Sequence, residues 1–233
     1  EQFAYLPGAP FTPNKANIRN TGLYIFFGLF VLIPVCLEFV DNRVKSPFDV
    51  EVFIGKDLIA GIPKISDVEE IQRPLIVGND LDDGLTESFR SMYSKIQMNS
   101  LTDYPKSILI TSAIPSEGKS LISANLAYSC ANHGRKTILI DFDLRRPGLH
   151  KFCDLENKQG LVTLINEASS SPETIDSSIK STAHKIHPNL YILPSGGKTR
   201  AATEMLEQKE FDIVLAALRR EFDVIIVDSP PIG

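Results

Sequence analysis

Residues 107–120 read Ser107-Ile-Leu-Ile-Thr-Ser-Ala-Ile-Pro-Ser-Glu-Gly-Lys-Ser120, an apolar run followed by a loop that ends in Gly-Lys-Ser. The run predicts a buried strand, and the residues after the loop predict a helix from Lys119 to Asn132. A loop between a strand and a helix start can place its backbone N–H groups around phosphates. The stretch therefore predicts a phosphate loop, with Ala113 where the pattern begins with glycine.

This loop is expected to bind the phosphates of a nucleotide. Lys119 is expected to reach the β- and γ-phosphates, and the hydroxyl of Ser120 to coordinate Mg²⁺. The expected cofactors are therefore ATP and Mg²⁺. The residues expected to contact the nucleotide are Ala113, Ile114, Pro115, Ser116, Glu117, Gly118, Lys119 and Ser120.

Short strands alternate with helices around this loop. The predicted helices cover 119–132 and 211–220, and the predicted strands cover 107–112, 137–142, 190–193 and 224–227. The strands are runs of Ile, Leu and Val, which are typical of a parallel sheet covered by helices on both faces. The predicted fold class is α/β, a doubly wound parallel sheet of the P-loop NTPase type, which we expect to be incomplete after Gly233.

Three carboxylates follow predicted strands. Asp141 and Asp143 stand two residues apart at the end of one strand, and Asp228 ends another. Ligands bind at the carboxyl ends of strands in open α/β sheets, so these side chains should face the phosphate loop. We expect Ser120, Asp141 and Asp228 to hold the metal. Asp141 or Asp143 is expected to act as base beside Lys119, and the choice between the two aspartates stays open.

An apolar segment near the N-terminus has the length of a membrane span. Residues 20–37 contain no charged side chain, and about 20 such residues cross a hydrocarbon core of roughly 30 Å. We predict a transmembrane helix over residues 21–40 in preference to a buried helix or a signal peptide. The basic residues on both sides indicate orientation only weakly. An ATP-binding domain downstream implies that the C-terminal side is cytoplasmic.

Composition and residue spacing argue against a nucleic-acid partner and against a metal site built from cysteine or histidine. The 24 Lys and Arg residues against 29 Asp and Glu give a net charge of −5 without a basic block, so we expect no nucleic-acid partner. The three cysteines lack the spacing of a metal site and are interpreted as reduced thiols. The four histidines are interpreted as structural or solvated, with His184 and His187 in a polar loop.

Three blocks together resemble the bacterial tyrosine kinases that accompany exopolysaccharide export. They are the phosphate loop, Ile140-Asp-Phe-Asp-Leu-Arg-Arg-Pro-Gly-Leu-His-Lys151, and Val227-Asp-Ser-Pro-Pro231. Upstream, Leu6-Pro-Gly-Ala-Pro-Phe-Thr-Pro13 and Ile59-Ala-Gly-Ile-Pro-Lys-Ile65 resemble the chain-length-determinant proteins to which such kinases are commonly fused. The resemblance implies an ATP-dependent protein-tyrosine autokinase, a non-specific protein-tyrosine kinase, that controls capsular or exopolysaccharide polymerisation and export.

The resemblance also implies a domain organisation. Residues 1–20 would be the Pro-rich end of a periplasmic region, and 21–40 the transmembrane helix. Residues 41–84 would be a juxtamembrane unit and linker, with a short helix opened by Ser46-Pro47 and a strand from Leu58 to Ile65. Residues 85–233 would be a truncated cytoplasmic P-loop kinase domain that begins with an amphipathic helix. The implied location is the bacterial inner (cytoplasmic) membrane, with the kinase domain facing the cytoplasm.

Partners follow from the same resemblance. The family assembles rings of its own copies through Glu-x-x-Arg-x-x-Arg, and here Glu87 and Arg90 match while Tyr93 replaces the second arginine. Further implied partners are the polysaccharide polymerase or export machinery and a phosphotyrosine phosphatase. The family phosphorylates a C-terminal tyrosine cluster, and no such cluster precedes Gly233.

A second hypothesis is a polysaccharide co-polymerase, or chain-length regulator, whose ATPase domain of the partition-ATPase type is regulatory. Partition ATPases carry a lysine directly after the first small residue of the phosphate loop. Ile114 stands there in this chain, which favours the kinase.

Overall fold

The computed structural model describes residues 15–41, 46, 48–65, 68–69, 72–100, 103–199 and 201–232. The chain divides into two compact units, residues 1–57 and residues 58–233. Most of the described part of the first unit is one helix, α1 (Lys15–Val40), which passes through Pro34 without ending. By length and composition α1 is able to cross a membrane, and none of its apolar side chains is buried. It contains the predicted span and adds a first turn with Lys15 and Arg19.

A second, short helix follows in the first unit, later than predicted. It is a π-helical turn, Asp49–Ile54, which ends at Gly55 with φ 66°. Its start is held by a reciprocal pair, because the N–H of Ser46 donates to Oδ2 of Asp49 (2.9 Å) and the N–H of Asp49 donates to Oγ of Ser46 (3.3 Å). Ser46 therefore contacts the first helical residue, but the N-cap position is taken by Phe48 and not by Ser46 as predicted. Pro47 lies outside the described residues.

The second unit contains a five-stranded sheet with strand order β1-β5-β2-β4-β3. Neighbours are parallel except β3, which runs antiparallel to β4 at one edge. The bounds are β1 (Ser107–Ile110), β2 (Thr137–Asp141), β3 (His184–His187), β4 (Leu190–Leu193) and β5 (Val224–Asp228). The four predicted strands of the sheet are confirmed to within two residues.

Helices cover both faces of this sheet, as a doubly wound fold requires. Side chains of α3 and α4 meet Leu139 and Ile226 on one face, and those of α6, α7 and α9 meet Ile138 and Ile225 on the other. The helices are α2 (Ile76–Asn79), α3 (Asp83–Asn99), α4 (Lys119–Asn132), α5 (Leu149–Phe152), α6 (Leu161–Ser170), α7 (Ile175–Thr182), α8 (Ala202–Leu206) and α9 (Lys209–Glu221).

Two predictions about local structure are wrong. The described residues from Leu58 to Ile65 form no strand, and Ile62 instead packs against buried side chains of two hydrophobic clusters. The polar loop expected around His184 and His187 is the strand β3. Pairing with β4 stabilises this polar edge strand, which has no apolar alternation of its own.

Part of the segment expected to be a linker is packed onto the second unit. A 3₁₀ turn, Arg73–Leu75, leads into α2, and Ile76 is fully buried. The side chain of Asn125 on α4 accepts from the N–H of Val77 (2.9 Å) and donates to the carbonyl of Arg73 (2.8 Å). These bonds satisfy backbone groups that would otherwise be buried without partners. The segment is therefore fixed to the helix that follows the phosphate loop.

The two edges of the described sheet differ. Strand β3 carries Lys185, and its register with β4 shifts between Lys185 and His187. Strand β1 has no charged residue, and its Leu109 side chain is 64% exposed.

Candidate active site

The carboxyl ends of three adjacent strands form the floor of the candidate site. Asp141 at the end of β2 is the register partner of Asp228 at the end of β5, and Asp228 is also the partner of Ile110 at the end of β1. The phosphate loop leaves β1 at this edge. Side chains from the middle and end of the chain therefore meet beside the loop, as predicted from the ends of parallel strands.

The loop itself bends through two residues of positive φ. Ser116 has φ 67° and Gly118 has φ 90°. Gly118 is the N-cap residue of α4, so Lys119 and Ser120 are the first two helical residues. The free N–H groups of this helix start and its dipole favour an anion, which fits the expected phosphates.

Ser120 and Asp228 are in direct contact. The Ser120 hydroxyl donates to Oδ2 of Asp228 over 2.6 Å. The other carboxylate oxygen, Oδ1, lies 3.1 Å from the hydroxyl of Ser123, one helical turn further along α4. Burial raises the pKa of Asp228, while the two serine hydroxyls and the Lys119 charge act in the opposite direction.

Asp141 is also buried, and its two oxygens differ. Oδ2 accepts from the N–H groups of Gly148 and Leu149, each at 3.0 Å. Oδ1 is buried and has no hydrogen-bond partner among the described residues. Burial, with a further contribution from the Asp228 charge, raises the pKa of Asp141 to about 6. A carboxylate with one free, buried oxygen beside a second carboxylate calls for a cation.

Asp143 lies just beyond the strand and is half-buried. Its Oδ1 accepts from the N–H of Arg146 over 2.8 Å, so it also shapes the turn that carries Arg145 and Arg146. The two aspartates therefore differ in setting. Asp141 belongs to the floor of the site, and Asp143 belongs to a turn at its rim.

The donor set fits a divalent cation of the Mg²⁺ type. The hydroxyl of Ser120, the carboxylate of Asp228 and the free oxygen of Asp141 are hard oxygen donors. The described residues contain no group of three or more His, Cys, Asp or Glu side chains that could hold a metal alone. Mg²⁺ usually combines one or two carboxylates with substrate phosphates, so this smaller set is what a shared site needs.

Sequence reasoning missed one residue of this cluster. Ser123 is fully buried, and its hydroxyl reaches both Asp228 and the carbonyl of Lys119 (2.9 Å). The signal was its position three residues after Ser120, which places both hydroxyls on one face of α4.

The predicted assembly residues lie apart from this site, on α3. Glu87 and Arg90 form an exposed ion pair of 2.8 Å with each other. Tyr93 is instead buried, where it stacks on Tyr104 and its hydroxyl accepts from Nε of Arg135 (3.0 Å). Tyr93 therefore contributes to the interior of its own chain and not to an exposed surface.

A parallel sheet with a phosphate loop and acidic strand ends defines a P-loop nucleotide-binding domain, and a family model described as AAA domain matches residues 106–232. The chain is 35% identical over 160 residues to the putative tyrosine-protein kinase CapB of Staphylococcus aureus, covering 69% of this chain and 67% of CapB. It is 28% identical to the tyrosine-protein kinase ptk of Acinetobacter johnsonii over 97% of this chain. The chain belongs to the exopolysaccharide-associated bacterial tyrosine kinase family.

Structural similarity agrees with this assignment. The crystal structure of the chimerical protein CapA2B2 aligns with a TM-score of 0.69 at 30% identity, covering 81% of this chain and 76% of that chain. Coverage of the relatives is uneven, because the chain spans 31% of the length of ptk.

Proposed function

We propose that this chain is the membrane-anchored, ATP-binding part of a protein-tyrosine kinase that acts in capsular or exopolysaccharide polymerisation and export. The contact of Ser120 with Asp228 over 2.6 Å carries the proposal, because it joins the start of the phosphate-loop helix to the end of β5. A divalent ion held there would be shared between the protein and the nucleotide phosphates. Family membership and the resemblance of the N-terminal blocks support the tyrosine and polysaccharide parts.

In the proposed reaction the γ-phosphoryl group of ATP passes to a tyrosine hydroxyl. A bond forms between the tyrosine oxygen and the γ-phosphorus, and the bond to the β,γ-bridging oxygen breaks. Asp141 or Asp143 accepts the hydroxyl proton, and Lys119 contacts the β- and γ-phosphates. Ser120 and Asp228, with Asp141, would hold Mg²⁺, which when bound neutralises charge on the phosphates.

The acceptor is proposed to lie outside the described part of the second unit. Tyr93, Tyr104 and Tyr128 are buried there, and Tyr191 is half-buried between strand and helix. The three buried hydroxyls cannot enter an active site without local unfolding, and the Tyr191 side chain is partly covered by Phe222. Another chain or another part of the protein would therefore present the tyrosine, which agrees with a homo-oligomer, such as a ring, that uses Glu87 and Arg90.

The location and remaining partners follow from the same proposal. Helix α1 would lie in the bacterial inner membrane and residues 85–233 would form a kinase domain facing the cytoplasm. Residues 1–20 would be periplasmic, and residues 41–84 would be the juxtamembrane unit and linker between the membrane helix and the kinase domain. The partners would be the polysaccharide export machinery and a phosphotyrosine phosphatase.

The deciding experiment measures transfer of label from γ-labelled ATP to tyrosine in membranes that contain the full-length parent protein. Wild type is compared with Lys119→Met and with Lys209→Met, since both lysines are the first residue of a helix and only Lys119 follows the phosphate loop. Phosphotyrosine that disappears in Lys119→Met alone supports the kinase. ATP hydrolysis without phosphotyrosine in the wild type would favour a co-polymerase with a regulatory ATPase.

A second comparison addresses the base. In Asp143→Asn the amide oxygen can still accept from Arg146, so the turn is kept while the charge is lost. Asp141→Asn likewise keeps an acceptor for Gly148 and Leu149. We expect the variant at the base to lose transfer while ADP binding stays measurable. A residue whose variant transfers phosphate at the wild-type rate is not the base.

A further inference from the structure

Glu117 is the one charged residue between strand β1 and Lys119. Its side chain is exposed, but it turns back across its own loop. Oε2 accepts from the N–H of Ala113 (2.9 Å) and from the N–H of Ile114 (3.2 Å). A carboxylate only accepts hydrogen bonds, and near bound phosphates its charge would be repulsive. Glu117 must therefore offset this repulsion by some other contribution to phosphate binding.

The hydrogen bonds of the loop backbone show what this contribution is. At the start of the loop, the N–H of Ile232 donates to the carbonyl of Ser112 over 2.9 Å. At its end, the N–H of Ile122 donates to the carbonyl of Gly118 over 2.9 Å. Among the described residues, none of the hydrogen bonds of this kind between backbone groups involves residues 113–117. The Ser112 hydroxyl donates to the carbonyl of Ile114 over 2.8 Å within the first residues of the loop. The side chain of Glu117 is what ties the end of the loop back to those residues.

We propose that Glu117 is a positioning residue that holds the phosphate loop in its binding shape before the nucleotide arrives. Its carboxylate occupies the N–H groups of the first two loop residues and leaves those nearer the start of α4 free for phosphate. The loop then loses less conformational freedom on binding, which offsets the repulsion from the charge. The proposal rests on the proposed function only in taking a nucleotide as the ligand.

Amide hydrogen exchange tests, without any ligand, whether the two hydrogen bonds of the Glu117 carboxylate hold the loop. The full chain in detergent is compared with Glu117→Ala, Glu117→Gln and Glu173→Ala, the last of which removes an exposed carboxylate far along the chain. We expect the amides of Ala113 and Ile114 to exchange roughly fivefold faster or more in Glu117→Ala. Glu117→Gln should exchange like the wild type, because its amide oxygen can accept the same two bonds. Equal exchange in Glu117→Ala and wild type would overturn the proposal.

Affinity for Mg·ADP gives a second readout. We expect Glu117→Ala to bind roughly five- to tenfold more weakly than the wild type, since both hydrogen bonds to the carboxylate are lost and the loop must be ordered on binding. Glu117→Gln should bind at least as tightly as the wild type, because its amide oxygen keeps both hydrogen bonds and the negative charge is removed. Weak binding by both variants would mean that the charge of Glu117, and not its hydrogen bonds to the loop, determines the affinity. That result would contradict the proposal. If the wild type fails to bind ADP, the proposed function fails, and the exchange comparison still decides the role of Glu117.

Discussion

The hydroxyl of Ser120 and the carboxylate of Asp228 are 108 positions apart in the chain and 2.6 Å apart in space. The neighbouring hydroxyl of Ser123 contacts the other oxygen of the same carboxylate. Two serines on one helix thus hold one aspartate, but only Ser120 stands at the helix start, where phosphates are expected. We therefore expect Ser120 to be a metal ligand and Ser123 to orient Asp228.

The two serines should therefore respond differently to Mg²⁺. We expect Ser120→Ala to lower the affinity for ADP at least tenfold in Mg²⁺, and to change it little in EDTA, because the lost group is a ligand. Ser123→Ala should have a smaller effect, since it removes only one hydrogen bond to Asp228. Calorimetry with and without Mg²⁺ measures both. Equal losses in the two variants would show that Ser120 acts only by orienting Asp228.

Asp141 should make the stability of the metal-free protein depend on pH. Its pKa is raised to about 6, so the folded state binds this proton more tightly than the unfolded chain does. The group therefore favours folding at low pH, and that contribution is lost as pH rises through about 6. The rise corresponds to an upper limit of about 3 kcal/mol.

The variant Asp141→Asn isolates this contribution. In EDTA at pH 7.5 we expect it to be more stable than the wild type by about 1–2 kcal/mol, because the amide carries no charge into the buried site. Near pH 5 the difference should be roughly half as large, and it should vanish only below about pH 3.8, where the carboxyl is protonated in the unfolded chain as well. Thermal unfolding followed by circular dichroism at both pH values measures it. An advantage that is the same at both pH values would show that charge burial is not its cause.

Ser116 should be a site of backbone strain. A residue with a Cβ atom at φ 67° costs about 1–2 kcal/mol, whereas glycine adopts this conformation without that cost. Glycine also adds freedom to the unfolded chain, so we expect Ser116→Gly to raise the free energy of unfolding by about 0.5 kcal/mol. Ser116→Ala keeps the Cβ atom and should give no gain. A gain in the alanine variant would place the strain in the hydroxyl and not in the backbone.

Asn125 should fix the segment before α3 to the nucleotide-binding unit. We expect Asn125→Ala to lower the free energy of unfolding by about 2–4 kcal/mol, because it leaves the buried N–H of Val77 and the carbonyl of Arg73 without partners. Hydrogen exchange in residues 73–79 should rise before exchange elsewhere. Asn132→Ala, at the exposed end of the same helix, is the control. Unchanged exchange in residues 73–79 would contradict the role given to Asn125.

The parts of the fold that were predicted well are those where local pattern and tertiary structure agree. Helix α4 has the predicted bounds, because a phosphate loop fixes its start and an apolar face follows. Strand β3 was missed, since His184 to His187 show no apolar alternation and become a strand only through β4. Helix α6 had a readable signal in Leu161, Leu164, Ile165 and Ala168, which all lie on its buried face.

For the site, the sequence placed the carboxylates at strand ends and could not place their partners. The neighbouring positions of Asp141 and Asp228 follow from sheet topology, which depends on contacts between distant segments. The role of Asp143 in a turn, and of Glu117 across the loop, depends on side-chain directions that spacing does not reveal. The burial of Tyr93, at the position of the second arginine of the assembly motif, was not predicted either. Helical spacing alone does not distinguish a buried face from an exposed one.

The unequal edges of the sheet bear on how the protein should be handled. Unpaired edge strands can recruit a strand from another molecule, and charged residues or irregular register protect against this. Strand β3 has both protections, in Lys185 and in its shifted register. Strand β1 has neither, and it exposes Leu109. The open side of β1 is therefore where a further strand, whether from a continuation of this sheet or from another molecule, would add directly beside the phosphate loop. Nucleotide binding is accordingly best measured on dilute samples.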